Sequence, residues 1–149
     1  MLKVSLLRQR SSVKTNRRSQ QLGNMLTATA LEMLGETMAL MRKRGLLDPG
    51  RFVKLMTNTM FGGRVHRIYG NRIAAQDYAA GFALPLALKD VRLALAEADS
   101  AGVPMPSVGV VHDRMMSAIA RGYAELDWTA LALIAAEEAR APISRPVAP

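Results

Sequence analysis

The chain has 149 residues, half of them hydrophobic and only 5% aromatic, which fits one domain with a core built on aliphatic side chains. The absence of Cys excludes disulfides, thiolate metal sites and cysteine nucleophiles, and His66 and His112 stand without a partner at metal-ligand spacing. No charge-free apolar run reaches the about 18 residues of a membrane span, so a soluble, cytoplasmic chain with no membrane partner is expected.

The net charge of +8 sits mainly at the start, where Lys3, Arg8, Arg10, Lys14, Arg17 and Arg18 precede Gln20 with no acid among them. The remainder carries a surplus of two positives. Residues 1–21 are therefore expected to form a basic, disordered arm. Such an arm can bind phosphate backbones by counterion release, but it offers no aromatic to stack a base and no reading helix follows it, which argues against nucleic acid. Its apolar stretch Val4 to Leu7 is too short for a secretion signal.

Past the arm, Leu22 to Arg44 places Leu22, Met25, Leu26, Ala30, Met33, Leu34 and Leu40 near one helical face. Glu32 and Glu36 form a like-charged i, i+4 pair, so at least one needs a partner or water. Arg42, Lys43 and Arg44 complement the negative helix end and Gly45 is placed to cap it. Asp48 as N-cap and Pro49 open a second helix that carries Phe52, Leu55, Met56 and Met60 inward and stops at Gly62-Gly63. A third helix runs from Val65 to about Ala75.

Asp77 to Leu84 reads as a loop that brings Phe82 into the core. Leu86 to Ala101 is apolar nearly all round, with Leu88, Val91, Leu95 and Ala98 on one face and Leu86 and Leu93 broadening it, which predicts a central helix. After Gly102 and an extended Val103-Pro104-Met105-Pro106 segment, Ser107 is expected to cap a helix carrying Val111, Met115 and Ile119 inward. Asp127 is expected to cap a last helix through Leu131, Ile134 and Ala135. The expected fold is an all-α bundle of about six helices over residues 22–140, with Met33, Leu34, Leu88, Val91 and Leu95 in its core and a disordered tail over 141–149.

No motif in this pattern names a reaction. Gly62-Gly63 follows a helix and lacks the spacing of a phosphate-cradling loop. Lys89 lies between Leu86 and Leu93 on an apolar helix, where a Lys either snorkels to water or sits in a pocket with a polar or anionic partner; the residues alone favour snorkelling. Asn24 near a helix start is more often a cap than a ligand.

Gly23-Asn24-Met25, Glu32, Gly35-Glu36 and Gly45, then Gly81-Phe82-Ala83-Leu84 leading into Leu88-Lys89-Asp90-Val91, then Gly102-Val103-Pro104-Met105-Pro106, Gly122-Tyr123 and Asp127-Trp128, resemble the C-terminal domain of the β-hydroxyacid dehydrogenases. That family includes 3-hydroxyisobutyrate dehydrogenase and tartronate semialdehyde reductase, and the resemblance covers about Leu22 to Ala139. It implies a bundle like the 6-phosphogluconate dehydrogenase C-terminal domain, which covers the nicotinamide of NAD or NADP, completes the substrate site and forms much of the oligomer interface. By this resemblance Asn24 orients substrate, Lys89 lies near nicotinamide and substrate, and Phe82 and Asp90 shape the same pocket. The sequence departs at Gln20, where the family has a catalytic Lys, and an amide cannot exchange a proton with the reacting oxygen.

The family's N-terminal Rossmann domain, with its Gly-rich turn for the pyrophosphate, is not found in these residues, and Met1 to Ser19 resembles nothing in the family. The expectation is a fragment or truncated frame that does not hold the cofactor and is inactive alone. It would form a homo-oligomer, and would act, if at all, with a separate Rossmann domain. The alternative is a non-catalytic helical oligomerisation or interaction protein derived from the family.

Overall fold

The structure of the chain is a computed structural model that describes residues 2–143, with side chains from residue 17 onward. From Leu2 to Leu22 the sequence is free of Pro and Gly and rich in Leu, Arg, Lys and Gln, residues that cost little in a helix. Helix α1 accordingly spans Leu2–Arg44 and begins twenty residues before the expected start. The arm expected to be disordered is helical, because its composition favours helix whether or not an apolar periodicity marks it. The end of α1 is as expected. Gly45 takes φ +59°, its N–H reaches the Arg42 carbonyl, and the Leu46 N–H reaches Met41, closing the helix in a Schellman turn.

Asp48 caps α2 (Pro49–Thr57) by accepting the Arg51 N–H at 2.9 Å. Its packing differs from expectation. Val53 is the buried residue, whereas Leu55 faces solvent and Met60 is 96% exposed. The helix ends at Thr57, before the stretch that carries Met60 to the Gly62-Gly63 pair. Helix α3 (Arg64–Ala75) packs on α2 through Gly70, where a Cβ would come within 3.3 Å of Val53. The Arg42 guanidinium donates to the carbonyls of Ile73 and Ala74, so α1 adds a charged donor to the C-terminal carbonyls of α3.

Helix α4 (Leu84–Ser100) turns Leu84, Ala87, Leu88, Val91 and Ala94 inward and leaves Leu86 and Leu93 exposed, so it is not the central helix the sequence suggested. Helix α5 (Pro106–Ala120) buries Val108, Val111, Met115 and Ala118. The residue at its N-cap is Met105, with no side-chain cap, so Ser107 does not have the expected role. A short 3₁₀ turn, Trp128–Ala130, capped by Asp127, leads into α6 (Leu131–Glu138).

Leu131 to Ala136 are all buried, which makes α6 the centre of the bundle. It crosses α1 so closely that a Cβ on Gly35 would lie 2.8 Å from the Ala132 Cα. Of the expected core, Leu88 and Val91 are buried, Leu34 and Leu95 pack half-buried against it, and Met33 is 65% exposed. Met33 shares its helix with the fully buried Leu31 and Met38, and it lies on the far face. The tail expected to be disordered from residue 141 instead packs on the bundle through residue 143. Ala141 is buried and Ile143 packs on the core, while residues 144–149 lie outside the described residues. Among the described residues there is no strand; one isolated antiparallel bridge joins Ala83 to Asp127.

Candidate functional site

Asp127 fixes the approach to the site. Its carboxylate, 1% exposed, accepts the backbone N–H groups of Gly81 at 3.1 Å and Phe82 at 2.8 Å through Oδ2. Through Oδ1 it accepts the Thr129 N–H and hydroxyl at 3.0 and 2.7 Å. Arg72 adds its guanidinium at 3.2 Å and also reaches the Ala79 carbonyl and Asp77. A cap in the sequence is thus a hub in the fold, binding the loop before α4 to the turn before α6. Its backbone N–H bonds at Gly81 and Phe82 were not legible, because those donors lie far away in the chain.

The same loop delivers Phe82 edge-on to Trp128, with ring centroids 4.9 Å apart, and Tyr69 meets the Trp128 ring at 5.4 Å. The expectation that Phe82 enters the core is met by a half-buried ring in this aromatic cluster. The sequence shows Trp128 only as part of a motif; its packing comes from segments distant in the chain.

On α4, Asp90 is half-buried and Lys89 is exposed. Lys89 is in no ion pair among the described residues. On α1, Asn24 is half-buried and its Nδ2 donates to Asp90 Oδ2 at 2.7 Å. Asn24 therefore faces α4 from within a long helix and is not a cap, since α1 begins at Leu2. Gln20 stands one helical turn before Asn24 and is exposed. The structure thus brings Asn24 and Asp90 into contact, keeps Gln20 one turn from Asn24, and sets Lys89 beside Asp90 in the chain. Among the described residues no group of His, Asp and Glu is arranged to hold a metal.

The chemistry of these side chains is compatible with one edge of a nicotinamide site. Lys89 supplies an unpaired cation for an anionic group, and Asn24 has donor and acceptor capacity beyond its bond to Asp90. A strand, Gly-rich turn and helix N-terminus for a pyrophosphate do not occur among the described residues.

The all-helical bundle has the fold of the helical domain found in 3-hydroxyisobutyrate dehydrogenases. Solved structures share the fold: 3-hydroxyisobutyrate dehydrogenase from Salmonella typhimurium superposes with a TM-score of 0.71 at 20% identity, over 78% of this chain and 40% of that one. The Mycobacterium tuberculosis 3-hydroxyisobutyrate dehydrogenase with L-serine gives 0.67 at 21%, over 77% of this chain and 41% of that one. Residues 21–135 match the family described as NAD-binding of NADP-dependent 3-hydroxyisobutyrate dehydrogenase, and the chain belongs to that family. Among curated relatives it is similar to the uncharacterized oxidoreductase YfjR of Bacillus subtilis (strain 168), 36% identical over 72% of this chain and 37% of that protein. It is also similar to the 2-hydroxy-3-oxopropionate reductase of Escherichia coli (strain K12), 25% identical over 72% of this chain and 36% of that protein. The chain spans little more than a third of the length of these relatives. No helix among the described residues is long and apolar enough to cross a membrane.

Proposed function

We propose that this domain forms the helical wall of an NAD(P)-dependent 3-hydroxyacid dehydrogenase or semialdehyde reductase, closing over the nicotinamide and completing the substrate site. The observation that carries the reading is the Asn24–Asp90 hydrogen bond next to the unpaired Lys89, at the junction of α1 and α4. The bound nicotinamide cofactor supplies a hydride for a carbonyl carbon. In this reading Lys89 attracts the carboxylate of a small acid substrate, and Asn24 fixes its oxygen by hydrogen bonding. The Phe82 and Trp128 rings form the apolar backing, with water kept from the wall they build.

Proton transfer is the weak link. Reduction of a carbonyl needs a proton at the developing alkoxide, and Gln20 can donate a hydrogen bond there but cannot give up the proton. The wall therefore acts with a Rossmann domain that these residues do not contain, and turnover is slow with Gln20 in place. The test joins the domain to a Rossmann domain of a relative and follows NADPH and NADH oxidation with small semialdehydes. Gln20→Lys should raise kcat by roughly 10²–10⁴-fold, the range general acid catalysis supplies, and Lys89→Ala should raise KM. High activity with Gln20 untouched, or an unchanged KM in Lys89→Ala, would count against these assignments.

A second reading, a non-catalytic assembly protein that kept the oligomer surface, is favoured by a different observation. Leu26, Met33 and Leu40 recur every seven residues on α1 and are 67%, 65% and 57% exposed, with Ala30 and Thr37 between them. In either reading this stripe is proposed as the seam of a homo-oligomer. Light scattering should report a dimer or larger species at micromolar concentration and a monomer for Met33→Glu; a monomeric parent chain would remove the assembly proposal.

A further inference from the structure

Asn24 and Asp90 are 66 positions apart in sequence and meet on facing helices at 2.7 Å. A terminal amide has two orientations of similar shape that exchange oxygen for nitrogen, and only its partners select between them. An ionised carboxylate accepts hydrogen bonds and donates none, so only the nitrogen of Asn24 can face Asp90. One amide hydrogen is thereby committed. The Asn24 Oδ1 and the second amide hydrogen remain available, a paired acceptor and donor in one plane.

Lys89 is Asp90's neighbour in sequence, and consecutive residues on a helix point in different directions. The Asp90 carboxylate is engaged with α1 and forms no ion pair with Lys89, whose ammonium stays unpaired among the described residues. The arrangement separates the two tasks. One α4 residue turns to α1 and orders an amide, and the one before it is exposed with its charge unspent.

We infer that Asp90 is a positioning residue: its carboxylate locks the Asn24 amide in one orientation and so presents Oδ1 as acceptor and the remaining N–H as donor to a ligand carrying a hydroxyl or carbonyl oxygen beside a carboxylate. This rests on the reading of Asn24 as a substrate-facing residue, and it removes Asp90 from direct contact with substrate. The ligand class follows from the geometry of the groups. A hydroxyl donates to Oδ1, an oxygen accepts from the second N–H, and a carboxylate answers Lys89.

The experiment has two arms. In the first, the isotope-labelled full chain is studied by NMR without any ligand. The Asn24 side-chain amide should give two separate proton signals, one of them protected from solvent exchange. Asp90→Asn is nearly isosteric but can donate as well as accept, so the lock is lost, and the protected signal should exchange at least about tenfold faster while circular dichroism stays unchanged. An Asn24 amide unaffected by Asp90→Asn overturns the inference outright.

In the second arm, the domain joined to a Rossmann domain is assayed as Asn24→Ala, Asp90→Asn and the double variant. Asp90→Asn should raise KM on the order of tenfold with a smaller change in kcat. The double variant should be no worse than Asn24→Ala, because Asp90 acts only through Asn24. Additive losses overturn the inference by giving Asp90 a contact of its own. Full activity in Asn24→Ala, with the first arm as expected, instead overturns the substrate role of Asn24 and leaves the orienting bond in place.

Discussion

Two buried carboxylates tie this bundle together, and they are satisfied in opposite ways. Asp127 is 1% exposed and receives two backbone N–H groups on one oxygen, a backbone N–H and a hydroxyl on the other, and the Arg72 guanidinium besides. Glu32 is 4% exposed and relies on Arg114 at 2.7 Å through Oε1, while its Oε2 is buried with no partner. Arg114 is itself shared with Glu36 at 3.5 Å and with Glu138. A carboxylate held by fixed peptide dipoles has its solvation replaced when the chain folds. One held by a single shared guanidinium does not, and burial pushes the Glu32 carboxyl above its ordinary range against the opposing pull of Arg114. Asp127 thus organises a loop and a turn, whereas Glu32 stakes the α1, α5 and α6 junction on one cation.

Removing that cation should have the largest effect. Arg114→Ala leaves Glu32 buried beside Glu36 and Glu138 without a counter-charge, a change that costs about 3–5 kcal/mol for a buried pair. The low end of that range is expected, since Arg114 is 15% exposed and Glu32 can take up a proton. Urea denaturation at pH 7 measures it. Because protonating Glu32 relieves the loss, the deficit should shrink at pH 4. A deficit below 1 kcal/mol at pH 7 would show that Arg114 contributes no more than a surface pair.

At the other carboxylate the expected loss is smaller. Asp127→Asn keeps the shape but substitutes an N–H group for one acceptor, so either Gly81 and Phe82 or the Thr129 N–H faces a donor. That costs about 1–3 kcal/mol. Hydrogen exchange should accelerate at the Gly81 and Phe82 amides if the amide nitrogen turns toward them, and at Thr129 if it turns the other way. Unchanged exchange at all three would contradict the hub described here.

The parts of this fold that were legible in the sequence are those decided by neighbours in the chain. Gly45 ending α1 and Asp48-Pro49 opening α2 depend on a few adjacent residues whose cap chemistry is the same in most folds. Which face is buried depends on what arrives from elsewhere. The apolar stripe that includes Met33 reads as core by periodicity, yet α6 crosses α1 at Gly35, on a side of α1 where Leu31 and Met38 are buried. Helix α4 reads as central because Leu86 and Leu93 widen its apolar arc, and it is the short α6 that occupies the centre. At the candidate site, resemblance pointed to Asn24 and Asp90 separately. Their contact is a property of two helices meeting and has no signature in either segment.

The smallest predicted effect isolates the difference between the two carboxylates by pH. Glu32 has a folded pKa raised above its ordinary 4.5, with burial as the main cause and Arg114 opposing it. The folded state therefore binds this proton more tightly than the unfolded chain. The stability Glu32 contributes is fully present below about 4.5 and is lost as pH rises through the raised folded value. Glu32→Gln removes the titration and keeps an oxygen for Arg114, whose charge is still met by Glu36 and Glu138. At neutral pH the variant should lie within about 1 kcal/mol of the parent, since a lost charge-assisted bond is offset by a lost desolvation cost. Its advantage over the parent should grow as pH rises from about 4.5 through the raised folded value of Glu32, and level off above it. Denaturation midpoints of the two proteins measured side by side at each pH give this difference directly, and the slopes of groups common to both cancel. A difference that stays flat, or that moves toward the parent as pH rises, would mean that Arg114 outweighs burial and that Glu32 is held as firmly in its charged form as a fully hydrogen-bonded carboxylate.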